Sequence, residues 1–207
     1  IDELENGLSY HIDHGNGKDC YKVAVSLGGG ASVPMLEGKF LFPATNYRAY
    51  EIVENNPEKV VFSLYYPEWE ADGLKISLQK TITVVPDTYF FHCEDFYSFE
   101  GADSLLVVAG VNRHITQETI QEEILEADRY ALWEKASDQS VEPEDGMIGV
   151  AVVVPGATMN GIVFGDSHGV CGKFIRNGET FSYDFGSCWS KGDVKTAQDW
   201  FDMVNKQ

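Results

Sequence analysis

His14 is the residue of this chain best placed, by type and setting, to move a proton. It stands beside Gly15 and five residues before Asp19, in a stretch where a loop can present a side chain to a cleft. Imidazole is suited to proton transfer near neutral pH. The alternative is a solvent-exposed loop histidine, and position alone does not separate the two. His11, Asp13 and His14 carry ligand-type side chains, but no further partner is identifiable, and no metal site is assigned. Lys80 interrupts an apolar strand face between Leu78 and Ile82. An inward lysine must be paired or open to a cleft, unless a bulge turns it outward.

Other candidates lie at segment ends. Arg113 and His114 follow the apolar run ending at Val111, where functional groups commonly enter a loop. Tyr47 and Arg48 are adjacent, and an Arg fork can bind a carboxylate through two parallel hydrogen bonds. Trp189, followed by Ser190 and Lys191, could stack on a flat ligand face or fill the core. His92 and Glu94 share a strand face and read as an outward polar patch. Glu68 and Glu70 flank Trp69 at strand spacing and read as solvent-facing. No G-x-S-x-G elbow is present, so a serine hydrolase has no support.

The stretch from Gly15 to Ser32 imitates a phosphate loop and fails the test. A P-loop needs Ser or Thr after Gly-Lys, and here Asp19 follows Gly17-Lys18. Cys20 stands where G-x-G-x-x-G requires its last glycine. The segment also leads into an alternating run, Tyr21 to Leu27, rather than into a helix. It reads as a turn, a half-buried strand and a second turn.

Alternation governs most of the chain. Strands are expected at Tyr21 to Leu27, Val60 to Tyr66, Leu74 to Val85, Tyr89 to Phe99, Ser104 to Val111, Met147 to Val154, Gly161 to Phe164 and Thr180 to Phe185. Helical spacing is expected from Gln117 to Arg129 and from Asp193 to Val204, the latter with Asp193 as N-cap. No repeat or linker is evident. The fold class is mostly β, an antiparallel β-sandwich with two short helices, in a single domain over 1–207.

Bulk properties narrow the function. A net charge of −18 argues against nucleic acid. No apolar run approaches the roughly 18 residues of a membrane-spanning helix. The four cysteines are scattered singly, without C-x-x-C; buried free thiols are the first reading, and one or two disulfides the second. The residues do not identify a cofactor.

Taken together, Tyr10-His-Ile-Asp-His-Gly-Asn-Gly-Lys-Asp-Cys-Tyr-Lys-Val23 and Ser26-Leu-Gly-Gly-Gly-Ala31 resemble the signature of an uncharacterised bacterial family, catalogued as a domain of unknown function. The likeness continues through Asn46-Tyr-Arg-Ala-Tyr-Glu-Ile52, Asn55-Asn-Pro57, Leu64-Tyr-Tyr-Pro67, Ala109-Gly110 and Gly186-Ser-Cys-Trp-Ser-Lys191. The resemblance implies a galactose-mutarotase-like supersandwich, here in part. It further implies an exported protein, periplasmic or extracellular, of polysaccharide-degrading bacteria that break down uronic-acid polymers such as pectin and ulvan. Asp13-His14 stands where the family often has two histidines, Cys188 replaces a glycine, and Asn56 stands within the family's Asn-Gly-Pro turn. The family's upstream Trp-Glu-Asn-Asp portion is absent, so the chain is expected to be the C-terminal part of a longer domain, with the missing part as a partner.

The expected ligand is therefore an acidic oligosaccharide, and the expected reaction is elimination at a uronate, as lyase or dehydratase. In that scheme Arg48 or Lys80 neutralises the carboxylate, His14 or His114 is the base and Tyr47 the acid. Asp19, Tyr21, Lys22, Arg113, Trp189 and Lys191 shape the binding site. A non-catalytic carbohydrate-binding or accessory sandwich is the alternative, with a sugar epimerase or mutarotase third.

Overall fold

The computed structural model describes residues 7, 9–15, 17–114, 120–136 and 145–207. Two antiparallel sheets enclose the main core. The smaller contains β1 (Gly29–Leu36), β2 (Lys39–Phe40), β7 (Ser104–Asn112), β11 (Met159–Val163) and β12 (His168–Arg176), in the order β11-β12-β7-β1-β2. The larger contains β3 (Ala49–Asn55), β4 (Val60–Ala71), β5 (Leu74–Val84), β6 (Phe90–Glu100), β8 (Ile120–Glu126), β9 (Arg129–Lys135), β10 (Met147–Val153) and β13 (Thr180–Trp189). Its order is β3-β4-β5-β6-β13-β10-β9-β8. The mostly β, sandwich-type fold expected from the alternation is present.

The small sheet lies over β8, β9, β10 and β13. Residues of period two explain how: Ile148, Val150 and Val152 of β10 point into the core between the sheets. The alternate residues Ala151 and Val153 point to the outer face, where the helix α1 (Ala197–Val204) covers them with Trp200, Phe201 and Val204. Strand β10 is thus apolar on both sides, as a strand buried on both faces must be. Trp200 is fully buried and stacks on Phe90. Among the described residues no helix is long and apolar enough to cross a membrane.

On the other half of the large sheet the inner face is covered differently. A bulge in β4 between Tyr66 and Trp69 changes the parity of the strand, so both rings face inward. Trp69 is capped by the turn after β2, donating from Nε1 to the Leu41 carbonyl at 3.2 Å. Glu68 and Glu70 point to solvent, as their spacing suggested. Beyond Tyr66 no described strand covers the inner face.

Three expectations are corrected. Residues 21–27 form no strand: Val23 is 49% and Val25 90% exposed, and Ala24 turns the chain with φ +45°. Among the described residues no neighbouring strand offers a ladder, and local hydrogen bonds hold the segment, such as Gly28 N–H to Ser26 Oγ. Of the glycines read as a second turn, Gly28 is in a turn, and Gly29 and Gly30 begin β1. The segment read as a helix from Gln117 to Arg129 holds strand β8 and its turn, residues 117–119 lying outside the described ones. Ile120 and Ile124 are four apart, a spacing that a helix and a regular strand both place on one face; in β8 a bulge after Ile120 separates them, Ile120 opposite Glu134 and Ile124 opposite Ala131. Third, α1 begins at Ala197 with Thr196 as its N-cap, whose Oγ1 accepts from Asp199 N–H at 3.2 Å; Asp193 lies outside it. All four cysteines are buried and free, in agreement with the first reading.

Gly30 marks a close approach of the two sheets. It lies at a bulge in β1 with φ +138°, and a Cβ there would stand 2.4 Å from Cβ of Phe185 on β13. Gly30→Ala is expected to lower stability by about 2–5 kcal/mol, combining overpacking with backbone strain. Gly38→Ala, also at positive φ but facing open space, should cost only about 1–2 kcal/mol. Urea denaturation of the two variants checks the order; equal losses would mean that the sheets are not in tight contact at Gly30.

Candidate functional site

Where the inner face of the large sheet is open, a cavity of about 950 Å³ forms. Its floor is made by Leu64 and Tyr66 of β4, Lys80 and Ile82 of β5, Cys93 of β6, and Tyr183 and Phe185 of β13. Ile148 and Val150 close the back. One wall is the irregular segment Gly17 to Tyr21 with Leu27, and the other carries Tyr89, Trp189 and Asp193.

The floor holds one ammonium group in a dense polar cluster. Lys80 and Asp95 are direct cross-strand partners in the β5–β6 ladder, on the face that points inward. Lys80 Nζ lies 2.8 Å from Asp95 Oδ2, 2.9 Å from Tyr183 Oη and 3.2 Å from Ser32 Oγ. Ser32 donates to the same Asp95 oxygen, which ties the small sheet to the large one. The lysine side chain is 12% exposed and Asp95 0%, so the pair is removed from solvent screening. Burial works to lower the Lys80 pKa, but the Asp95 carboxylate more than offsets it, and the ammonium persists at all ordinary pH. Burial, then the Asp95 charge, holds the Tyr183 phenol well above its usual range. Tyr183 is therefore a hydrogen-bond donor, never a phenolate at neutral pH. Among the described residues Asp95 Oδ1 has no hydrogen-bond partner.

The cavity thiols offer no nucleophile. Burial pushes Cys93 up to about 11 and Cys188 up to about 12, so neither carries appreciable thiolate. Two carboxylates line the cavity. Asp19 accepts the Tyr21 N–H at 3.2 Å, and Asp193 accepts the Tyr89 hydroxyl at 3.3 Å. A second buried ion pair, Lys18 with Asp145, braces the wall, and Trp189 Nε1 donates to the Asp145 carbonyl at 2.6 Å.

Four residues singled out from sequence meet in this cavity: Lys80, Asp19, Tyr21 and Trp189. Lys191 sits above the Trp189 ring at 5.4 Å and pairs with Asp145. Tyr47 is partly exposed and touches the cavity only through Tyr66, edge to face at 6.2 Å. Arg48 is exposed beside it and does not line the cavity. His14 is exposed and bonds the Ser9 carbonyl at 3.2 Å. Arg113 grips Glu123, Tyr130 and the Asp166 carbonyl, away from the cavity. Lys22 continues the wall without lining the cavity, and His114 stands behind it, bonding the Lys22 carbonyl. His92 is turned to Asp184 on the outer face, a polar surface pair.

Among the described residues no three metal-ligating side chains converge. His11 Nδ1 bonds the Asp19 carbonyl, and Asp13 accepts from Gly15 and Gly17 N–H. Both groups are occupied with shaping their own loop.

Sequence reasoning missed Asp95, Tyr183, Ser32 and Tyr66. A signal existed for Asp95, since Cys93, Tyr97 and Phe99 define an apolar face of β6 that includes it. The other three needed strand register and the β4 bulge.

Known proteins resembling the chain are few in what they say of function. A protein of Formosa agariphila described as "Uncharacterized protein P7" is 29% identical over 150 residues, covering 72% of this chain and 35% of its own length. The chain thus spans about a third of that relative. A solved structure, "Putative kojibiose phosphorylase from human microbiome", superposes with a TM-score of 0.48 at 8% identity, covering 72% of this chain and 20% of the other. The model of the family described as "Domain of unknown function (DUF4861)" matches residues 1–207, and the chain belongs to that family.

Proposed function

We propose that the cavity binds an acidic, uronate-bearing oligosaccharide and eliminates across the carbon–oxygen bond beside the carboxylate. The observation that carries this reading is the Lys80 ammonium, fixed at the floor of an aromatic cavity with the Tyr183 hydroxyl as its hydrogen-bond partner. The cavity is within the size range of ligand sites, and Tyr66, Tyr89 and Trp189 offer flat faces to sugar rings.

In this scheme Lys80 lies under the substrate carboxylate and stabilises the charge that develops when the neighbouring carbon loses its proton. Asp19 takes that proton. The released electron pair forms a carbon–carbon double bond, and the bond to the leaving oxygen breaks. Tyr183, whose oxygen already accepts an N–H from Lys80, donates its own proton to the departing oxygen. Asp19 and Tyr183 thus replace the roles first given to the histidines and Tyr47, because those side chains lie outside the cavity. One observation favours a second reading, a non-catalytic sugar-binding domain. All three Lys80 protons already have partners within the protein, so a ligand carboxylate must compete for one.

Incubation with lyase-treated pectin and ulvan oligosaccharides should produce new ultraviolet absorbance, with loss of water or with cleavage at constant total mass. Binding by calorimetry without either change selects the sugar-binding reading; absence of binding overturns both. Tyr183→Phe should lower turnover by about 10²–10⁴-fold while keeping the fold. An unaffected rate would remove Tyr183 from the scheme.

Lys80→Met should lower stability by about 3–5 kcal/mol, because Asp95 is left charged and buried. Pairing it with Asp95→Asn should recover most of that loss. A double-mutant cycle in urea reads the coupling, and simple additivity would mean that the pair contributes nothing as a pair.

A further inference from the structure

His114 links the irregular wall of the cavity to β9, bonding the wall through Nε2 and Glu134 through Nδ1. Residues 17–28 contribute Lys18, Asp19, Cys20, Tyr21 and Leu27 to the lining, yet no strand pairs with them. The segment is fastened instead at a few points. Asn112 N–H donates to the Gly28 carbonyl at 2.7 Å, and the Tyr21 hydroxyl donates to the Asn112 carbonyl at 2.7 Å. His114 Nε2 lies 2.7 Å from the Lys22 carbonyl, and its Nδ1 lies 2.7 Å from Glu134 Oε1. The Tyr21 ring meets the imidazole edge to face at 4.8 Å. A carbonyl oxygen can only accept, and so can a carboxylate. The two shortest contacts of the ring, at 2.7 Å each, are thus to acceptors and match an imidazolium, while the Asn112 amide Nδ2, 3.1 Å from the same Nε2, can only donate and has the Lys22 carbonyl as its acceptor at 3.3 Å.

We propose that His114 is a positioning residue whose doubly protonated form clamps the Tyr21–Lys22 wall of the cavity, and that loss of one proton releases it. The groups facing the ring are the Glu134 carboxylate on β9, the Tyr21 phenol and Lys22 ammonium of the wall, and the Asn112 amide at 3.1 Å. Neighbouring Arg113 is turned to Glu123 and the Tyr130 hydroxyl. Burial acts to lower the His114 pKa, but Glu134, by hydrogen bond and charge, raises it above the ordinary value of 6.5. A raised folded-state pKa means that the clamp is complete below pH 6.5 and lost as pH rises through the higher folded value.

His168 fastens the other end of the segment with the opposite sign. Leu27 N–H donates to its Nε2 at 3.4 Å, so that nitrogen is unprotonated, and Nδ1 bonds Ser167 Oγ at 2.8 Å. The ring packs between Phe40 and Phe164, and burial lowers its pKa. Acidification through that lowered value protonates Nε2 and removes the Leu27 contact. The two histidines together keep the wall closed within a pH window that spans 6.5, whatever ligand the cavity takes.

The test is amide hydrogen exchange of the peptide covering residues 17–28, corrected for the intrinsic pH dependence, beside NMR titration of the His114 ring. Protection should fall by about tenfold as pH rises, a loss equivalent to one charged hydrogen bond. Its midpoint should coincide with the His114 titration above 6.5. His114→Gln should abolish that step, since an amide does not titrate. Protection that stays flat through the His114 titration, a His114 value below 6.5, or a step that persists in His114→Gln would each overturn the proposal. If His114→Gln does not fold, the agreement of the two midpoints in the unaltered protein decides.

Discussion

Eight strands cannot be covered by five. The small sheet protects β8, β9, β10 and β13, and the turn after β2 protects Trp69 and the lower half of β4 and β5. Among the described residues, what remains is an inner face with no sheet above it, and the cavity is that area. Its floor can hold Lys80 only because the same strand pairing supplies Asp95 directly opposite. Taking both charges out of water is costly, and their attraction repays it only with further hydrogen bonds. Ser32 and Tyr183 supply those bonds from the facing sheet and the next strand. The polar cluster therefore does two things at once: it joins the sheets across the core and leaves a fixed positive charge at the cavity floor.

The legible part of this architecture is the part that obeys one period over many residues. Strands β4, β5, β6, β7, β10 and β13 could be read because each alternates or runs apolar between turn residues. The buried face of α1 followed from Ala197, Trp200, Phe201 and Val204. Lys80 was legible as an inward lysine, and its surroundings were not. Asp95 stands fifteen residues away in sequence, and only the β5–β6 register brings them together. Tyr183 is 103 residues from Lys80, a contact that no local pattern encodes. Residues 21–27 show the converse, a clean alternation with no strand to pair with. Period two is necessary for a half-buried strand but does not create the neighbour that a ladder needs.

Floor and wall of the cavity differ in how they are held, and this difference sets what each can do. Every floor residue from β4, β5, β6 and β13 belongs to a continuous ladder, so moving one side chain by an ångström means distorting several strands. The wall of residues 17–28 has no ladder. It depends on a handful of side-chain bonds, three of them to histidines: His11 on the loop before it, His114 beside a buried carboxylate and His168 in an aromatic pocket. Local opening is least costly where backbone bonds are few and exposed. In the proposed reaction Lys80 and Tyr183 act from the rigid side, whereas the proposed base Asp19 acts from the wall that the proposed His114 clamp would loosen on losing a proton.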